Sequence, residues 1–244
     1  ASCLVGSEMC IRDRSKNTME NEQFSLIYEE IEKAKDKRAI VIVGRFQPPT
    51  AGHYKLVNEA RKYIRENKSL GLFAKPIVVI INGEKTSKDK TVNPLSVEER
   101  KFFIENSGKA NGVDVLHAKN AFDAFTQVRK HGYEPYIIGA GSDRLQGYLD
   151  LLDSKFVDNK GKKLKHLPLP NIELRHEASD SKESLDKIKK EGSVKIDQIS
   201  GSLARRAAEL GYFEEFTKIT GLEKNIPAAK KMFRLIKERT QSKE

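Results

Sequence analysis

The sequence predicts an α/β protein in which an open parallel sheet carries helices on both faces. Two observations carry this prediction. Short runs rich in apolar, largely β-branched residues alternate along the chain with segments of helical periodicity. The first two runs, Ala39–Val43 and Pro76–Ile81, are apolar throughout, as is typical of parallel strands covered on both sides. Five strands are expected, at Ala39–Val43, Pro76–Ile81, Val113–Leu116, Pro135–Ile138 and Ile172–Arg175.

Helix signals fill the intervals between these strands. Helices are expected at His53–Glu66, Ser96–Asn106 and Ala121–Lys130, and Gly139–Arg144 is expected to open a further helical stretch. Ser96 is the expected N-cap of its helix, because Glu99 stands at the position that completes a capping box. The segment Asp158–Pro170 is basic and is expected to be loop-like. Together these elements predict a Rossmann-like architecture with an added C-terminal helical segment.

Four parts are expected along the chain. They are a non-native or disordered extension at residues 1–18, an amphipathic helix at 19–37, the main domain at 38–222 and a basic helix at 223–244. The start, Ala1–Arg14, resembles translated sequencing-adapter readthrough, so the natural start is expected at Met19. The basic C-terminal helix also carries apolar residues at helical spacing, which favours packing on the main domain.

Composition narrows the classes of function. The chain has 244 residues, with 45 Lys and Arg against 35 Asp and Glu, and a formal net charge of +10. This charge favours anionic partners, which include phosphorylated small molecules, nucleotides and nucleic acids. No run approaches the roughly 20 apolar residues of a membrane-spanning helix. The two cysteines, Cys3 and Cys10, exclude a disulfide framework and a Cys-based metal site, and the cytoplasm is the expected compartment.

A ligand-binding motif is expected directly after the first strand, in Gly44–His53 (GRFQPPTAGH). Ligands of open α/β sheets bind beyond the carboxyl ends of the strands. Gly44 allows the backbone to approach a ligand, and Gly52 and His53 lie at the mouth of a helix, whose N–H groups suit phosphate. Thr50 precedes His53 by three residues, so both can face one pocket. Considered alone, a Gly-His pair more often caps or packs in an ordinary turn between a strand and a helix.

A second candidate phosphate motif is Ile199–Arg205 (ISGSLAR). Ser200, Gly201 and Ser202 open a helix and offer hydroxyl and backbone donors to phosphate. Arg205 lies one turn further on, where its planar guanidinium can bridge a pyrophosphate. The alternative for this motif alone is a plain serine N-cap.

The two motifs resemble the signatures of the HxGH-type nucleotidyltransferase superfamily, which includes cytidylyltransferases and nicotinamide-mononucleotide adenylyltransferases. The first signature reads roughly G-x-F-x-P-x-[H/T]-x-G-H, with Thr50 at the position often held by a first histidine. The second reads I-S-[S/T/G]-[S/T]-x-x-R. Two weaker matches, Asn93–Arg100 (NPLSVEER) and Gly141–Arg144 (GSDR), resemble segments of adenylyltransferase-type members. In motif the chain is closest to the nicotinamide-mononucleotide adenylyltransferases.

The resemblance implies that a phosphate oxygen of the acceptor attacks the α-phosphate of a nucleoside triphosphate and that pyrophosphate leaves. His53 is then expected to donate to the α- or β-phosphate with Thr50 beside it, while Arg205 holds the β- and γ-phosphates. The implied catalytic residues are Thr50, His53 and Arg205. The implied nucleotide-binding residues are Gly44, Arg45, Phe46, Gly52, Gly141, Asp143, Ile199, Ser200 and Ser202. Mg²⁺ is expected with the bound ATP or CTP, through phosphate oxygens and water, and no residue is assigned to metal.

Three functions remain open from the sequence. Transfer from ATP to nicotinamide mononucleotide is slightly favoured, and a CTP-dependent cytidylyltransferase is a close second. The third is a non-catalytic nucleic-acid-binding protein on the same fold, suggested by the net charge and by the basic segments Lys160–Lys165 and Lys224–Lys243. Because both phosphate motifs are present, nucleic acid is an unlikely partner. The expected partners are a nucleoside triphosphate and a small phosphate monoester, and a homo-oligomer remains open.

Overall fold

The computed structural model describes residues 37–67, 73–83, 88–141, 147, 165–166 and 180–241. The strands are β1 (Arg38–Gly44), β2 (Lys75–Ile81), β3 (Asp114–Ala118), β4 (Glu134–Gly139) and β5 (Lys165–His166). The helices are α1 (Ala51–Glu66), α2 (Val97–Glu105), α3 (Ala121–Lys130), α4 (Lys182–Glu191), α5 (Gly201–Leu210), α6 (Phe213–Thr220) and α7 (Ile226–Gln241).

The strands form one parallel sheet in the order β3-β2-β1-β4-β5. The order runs down from β3 to β1 and then reverses at β4, so the topological switch point lies between β1 and β4. In open α/β sheets the crevice beyond the carboxyl ends of such a strand pair is the usual ligand site. Both predicted motifs that follow strands at this point, Gly44–His53 and Gly141–Arg144, begin at that crevice.

The two faces of the sheet are covered by different helices. Ile40 and Ile42 of β1 pack in one buried cluster with residues of α1 and α2, whereas Val41 and Val43 pack in another with residues of α3. Each of these side chains is buried, and full burial of a Val or Ile side chain stabilises the fold by about 1.5–3 kcal/mol. The predicted Rossmann-like sheet with helices on both faces is therefore confirmed.

A third buried cluster joins the C-terminal helices to α2. It contains Phe103 of α2, Ala204 of α5, Phe216 of α6 and Met232 and Ile236 of α7. The basic C-terminal helix thus packs on the domain through its apolar side chains, as its sequence pattern suggested. No helix in the described part of the chain is both long enough and apolar enough to cross a bilayer.

The element boundaries agree with the sequence in most places. Helix α3 coincides with its predicted range, α2 has the expected capping box between Ser96 and Glu99, and α1 begins at Ala51 rather than His53 because Thr50 is its N-cap. Helices α4 and α6 were not predicted, although Ser181 caps α4 and Gly192 ends it in the left-handed conformation.

One prediction about the fifth strand is wrong. Within Asp158–Pro170, which was expected to be loop-like, Lys165–His166 pair in parallel with β4. Backbone hydrogen bonds at a sheet edge need no apolar run, so a search for apolar runs misses such a strand. The strand predicted at Ile172–Arg175 and the helix predicted at 19–37 lie outside the described residues.

Charged side chains meet at the start of β2 and β3, at the end of the sheet opposite the motifs. The carboxylate of Asp114 is bonded to the Lys75 ammonium and, at 2.6 Å, to Nε2 of His131. Partial burial raises the pKa of the Asp114 carboxyl, but the hydrogen bonds from Lys75 and His131 outweigh it and leave the pKa below its usual value.

Replacing this carboxylate tests the contribution of the cluster. We expect Asp114→Asn to lower the free energy of unfolding at pH 7 by about 1 kcal/mol, as for a partly exposed ion pair. Because the pKa is depressed in the folded state, the stabilisation is complete above the pKa of the unfolded chain, about 3.9, and is lost as pH falls through the lower folded pKa. Urea denaturation at several pH values measures the difference.

The control is Glu105→Gln, which removes an exposed pair with Lys101 on α2 and should change stability little. Equal stability of Asp114→Asn and the wild type at pH 7, or a difference that does not shrink as pH falls below about 3.9, would contradict this account.

Candidate active site

The loop Arg45–Thr50, between β1 and α1, has a strained backbone. Phe46 has φ 53°, in the left-handed region, and its side chain is buried. The peptide bond between Gln47 and Pro48 is cis. A non-glycine residue held in the left-handed region costs about 1–3 kcal/mol, so contacts from the surrounding structure must maintain this loop.

The first of these contacts comes from Gln47. Its buried side-chain amide donates from Nε2 to the backbone oxygen of Leu95 at 2.6 Å and accepts at Oε1 from the backbone N–H of Leu95 at 3.1 Å. Leu95 lies in the segment Asn93–Arg100, which leads into α2. One side chain therefore ties the loop to a second predicted motif.

The second contact comes from Arg100, whose side chain is 1% exposed. Its guanidinium donates to the backbone oxygen of Arg45 at 2.7 Å, to Oδ1 of Asn82 at 2.7 Å and to the backbone oxygen of Ser96 at 3.1 Å. Burial lowers the pKa of Arg100 to about 10, so the group remains charged at neutral pH. Arg100 thus fixes the start of the loop against the end of β2.

The third contact comes from α5. Arg205 donates from Nη1 to the backbone oxygen of Gln47 at 2.5 Å and from Nη2 to Oγ of Ser202 at 3.2 Å. Gly201 lies so close to the loop that a Cβ at its position would stand 2.6 Å from the Gln47 oxygen. The two motifs that resemble phosphate signatures, far apart in the sequence, are therefore in direct contact at Gln47.

His53 is held at the first turn of α1. Its Nδ1 accepts a hydrogen bond from the backbone N–H of Thr50 at 3.0 Å and lies 2.8 Å from the Thr50 hydroxyl. Because an amide N–H can only donate, Nδ1 carries the lone pair and the neutral ring bears its proton on Nε2. The Phe46 ring packs against the imidazole, with 4.4 Å between centroids. A Cβ on Gly44 would stand 3.1 Å from the Phe46 ring, so glycine leaves space for this pair of rings.

The N-termini of α1 and α5 both lie against the loop. The N–H groups of a helix's first turn have no acceptor within the helix, and with the helix dipole they attract anions. The Ser200 hydroxyl accepts from the Leu203 N–H at 2.9 Å and donates to Asp180 at 3.2 Å, so it acts as an N-cap. The Ser202 hydroxyl accepts a hydrogen bond from Arg205, and this bond leaves its own O–H able to donate.

Carboxylates and a cation both act on the guanidinium of Arg205. Burial lowers the pKa of Arg205; Asp180 opposes this effect, and the positive charge of Arg45 adds to it. Within the described residues, no cluster of three or more His, Cys, Asp or Glu side chains could hold a metal ion. The donors gathered here suit an anion.

The structure brings most of the predicted site residues together. Those in or beside the loop and at the start of α5 are Gly44, Arg45, Phe46, Thr50, Gly52, His53, Ser200, Ser202 and Arg205. The side chains of Phe46 and Thr50 are buried against His53, and that of Ile199 is buried among the C-terminal helices. Gly141 follows β4, at the other side of the switch point, and Asp143 lies outside the described residues.

Sequence reasoning assigned no role to Gln47, Leu95 or Arg100, although all three stand inside quoted motifs. Their contacts run largely through backbone atoms that lie far away in the sequence. The first signature leaves the position of Gln47 open (G-x-F-x-P) and gave no signal for it, whereas Arg100 is the last residue of the matching segment NPLSVEER.

A methyl group at Gly201 tests the close contact between α5 and the loop. We expect Gly201→Ala to lower the free energy of unfolding by about 1–3 kcal/mol, because the added Cβ overlaps the backbone oxygen of Gln47. The matched control is Gly52→Ala, whose Cβ would meet nothing closer than the Thr50 hydroxyl at 3.7 Å. Thermal and urea denaturation compare the two variants, and equal stabilities would show that the contact at Gln47 is not tight.

Comparison with known proteins agrees with this geometry. A family model described as cytidylyltransferase-like matches residues 41–146. The match includes the β1–α1 loop, Asn93–Arg100 and Gly141–Arg144, and it ends before Ile199–Arg205. No curated protein matches the chain. Residues 41–146 therefore match a cytidylyltransferase-like domain, which is the domain of the HxGH nucleotidyltransferase superfamily.

Proposed function

We propose that this chain transfers a nucleoside monophosphate from a nucleoside triphosphate to a phosphate monoester and releases pyrophosphate. The family match supports a nucleotidyltransferase. The observation that carries the proposal is the convergence on Gln47 and its loop of His53, Arg205 and the N-termini of α1 and α5. These groups are hydrogen-bond donors or cations, and they lie at the switch point of the sheet.

In the proposed reaction, a phosphate oxygen of the acceptor forms a bond to the α-phosphorus. The bond from the α-phosphorus to the oxygen that bridges to the β-phosphate breaks, and pyrophosphate leaves with the electron pair. The attacking oxygen of a phosphate monoester is already anionic, so no base is needed. Catalysis of such a transfer depends on positioning and on neutralising charge.

Each donor has a proposed place in this reaction. His53 donates from Nε2 to the α- or β-phosphate, and Thr50 and Phe46 hold its ring in orientation. Arg205, the Ser202 hydroxyl and the first N–H groups of α5 hold the β- and γ-phosphates. Ser200 contributes as the N-cap that fixes this helix end.

The remaining residues have proposed places around the nucleoside and the acceptor. Arg45, which follows β1 at the start of the loop, is proposed to approach either phosphate-bearing ligand. Gly141, which follows β4, and Asp143, which lies outside the described residues, are proposed for the nucleoside. Main-chain atoms of Gly44 and Gly52 complete the wall around the triphosphate.

Mg²⁺ is proposed to enter with the nucleoside triphosphate. The side chains that converge on the loop are cations and N–H or O–H donors, which fit phosphate oxygens and not a divalent cation. The ion would therefore be held mainly by phosphate oxygens and water, as Mg²⁺ prefers, and would neutralise phosphate charge.

ATP and nicotinamide mononucleotide are the favoured substrate pair. This preference depends on the segments GRFQP and NPLSVEER, and the hydrogen bonds between Gln47 and Leu95 join these two segments into one unit. CTP with a phosphorylated alcohol is the alternative pair, because cytidylyltransferases share both phosphate signatures.

Pyrophosphate release in the presence of Mg²⁺ tests the proposal. ATP and CTP are each combined with nicotinamide mononucleotide, glycerol 3-phosphate, phosphocholine and phosphopantetheine. Release with ATP and nicotinamide mononucleotide would support the favoured pair, and release with a CTP pair would select the alternative. A protein that binds neither triphosphate, and instead binds RNA or DNA with a steep salt dependence, would contradict the proposal.

Removal of the two principal donors should reduce turnover. We expect His53→Ala and Arg205→Ala each to lower kcat by more than about tenfold, because each removes a donor to the reacting phosphates. Arg206→Ala is the matched control: its neighbouring guanidinium is exposed and pairs with Glu209. Steady-state kinetics with thermal denaturation measures all three variants. Wild-type turnover in either of the first two would remove that residue from the site.

A further inference from the structure

The C-terminal helix α7 contacts the segment that precedes α2 through Arg239. Its guanidinium forms a two-pronged ion pair with Glu99, with Nη1–Oε2 at 2.6 Å and Nη2–Oε1 at 2.8 Å. Nη1 also donates to the backbone oxygen of Pro94 at 2.6 Å. The hydrogen bond from Arg239 holds the pKa of the Glu99 carboxyl below its usual value, so the pair stays charged at neutral pH. Bidentate pairs of this kind fix geometry as well as charge.

These contacts fix both neighbours of Leu95. Arg239 bonds Pro94 directly, and it orients the Glu99 carboxylate that accepts from the Ser96 N–H at 2.8 Å. Leu95, between Pro94 and Ser96, presents its N–H and its carbonyl oxygen to the Gln47 side chain. The orientation of the Leu95 peptide groups therefore depends on Arg239, and so do the two hydrogen bonds that they form with the Gln47 side chain.

The connection continues from Gln47 to the phosphate motif of α5. The backbone oxygen of Gln47 accepts from Arg205, and Gly201 lies against the same oxygen. A continuous set of hydrogen bonds thus runs from Arg239 through the Leu95 segment and Gln47 to Arg205.

Packing of α7 does not require Arg239. Met232 and Ile236 are fully buried and hold the helix on the C-terminal cluster, whereas the Arg239 side chain is 35% exposed. The polar contacts of Arg239 are directed at the Asn93–Arg100 segment rather than at its own helix. This arrangement suits a residue that orients a site more than one that anchors a helix.

We propose that Arg239 is a positioning residue for nucleotidyl transfer, which acts through Leu95 and Gln47 on the loop and on Arg205 without touching substrate. The inference rests on the proposed function. Its direct consequence is that loss of the guanidinium loosens the Leu95 segment and the β1–α1 loop while the fold persists.

Arg239→Met tests the inference, because Met keeps an apolar stem and removes the charge. Hydrogen–deuterium exchange should become faster at the Leu95 and Ser96 amides than in the wild type. With the best substrate pair, kcat should fall by about tenfold and the KM for the triphosphate should change less than about threefold. Arg239→Lys should recover part of kcat. The matched control is Arg234→Met on the same helix. The Arg234 guanidinium is exposed and forms a weak ion pair with Glu238 at 3.8 Å, so its loss should leave both hydrogen exchange and kcat unchanged.

Glu99→Gln provides a second variant if Arg239→Met melts far below the wild type. A Gln at this position can still complete the capping box, but it loses the ion pair with Arg239. It should show the same change in kcat, and the double variant should show less than the sum of the two single effects.

Unchanged exchange at Leu95 in both variants, or faster exchange with unchanged kcat, would overturn the role of Arg239. A wild-type protein that binds no triphosphate would overturn the proposed function and this inference with it. Exchange and kcat of the variants test the role of Arg239, whereas triphosphate binding by the wild type tests the proposed function. The two failures can therefore be told apart.

Discussion

The backbone oxygen of Gln47 is the point on which the candidate site depends. This oxygen accepts a hydrogen bond from the guanidinium of Arg205 and leaves no room for a side chain on Gly201. The side chain of the same Gln47 forms two hydrogen bonds with the backbone of Leu95. The loop that carries Gln47 includes Phe46 in a left-handed conformation, which costs free energy. Contacts from sequence-distant segments must offset that cost, and Arg205 of α5 supplies one of them.

The candidate site lies where two buried clusters meet, one beneath the sheet and one among the C-terminal helices. Adjacent residues of α2 face different clusters: Ile104 packs under the sheet with α1, and Phe103 packs with α5, α6 and α7. The same helix begins at the capping box that Arg239 supports. Packing of the C-terminal helices is therefore coupled to the geometry at the carboxyl end of β1, where the candidate site lies.

Much of this could be predicted from the sequence, for identifiable physical reasons. Buried parallel strands are rich in apolar residues, so β1 to β4 were found, and the polar edge pair Lys165–His166 was not. His53 and Arg205 were found because their motifs carry distinctive residues. The contacts of Gln47 and Arg100 could not be predicted, because their partners are mainly backbone oxygens, which any residue can supply. Thr50 was predicted to stand beside His53. Its burial and the hydrogen bond from its backbone N–H to Nδ1 of His53 depend on the three-dimensional structure and could not be predicted.

The central claim is that the first turns of α1 and α5 form one phosphate site with His53 and Arg205. An NMR titration of ¹⁵N-labelled protein with inorganic pyrophosphate tests it most directly. The account predicts that the amide signals of Gly52, Gly201 and Ser202 and the side-chain N–H signals of His53 and Arg205 shift together with a single Kd. Shifts confined to one helix, or confined to the basic surface of α7, would contradict it.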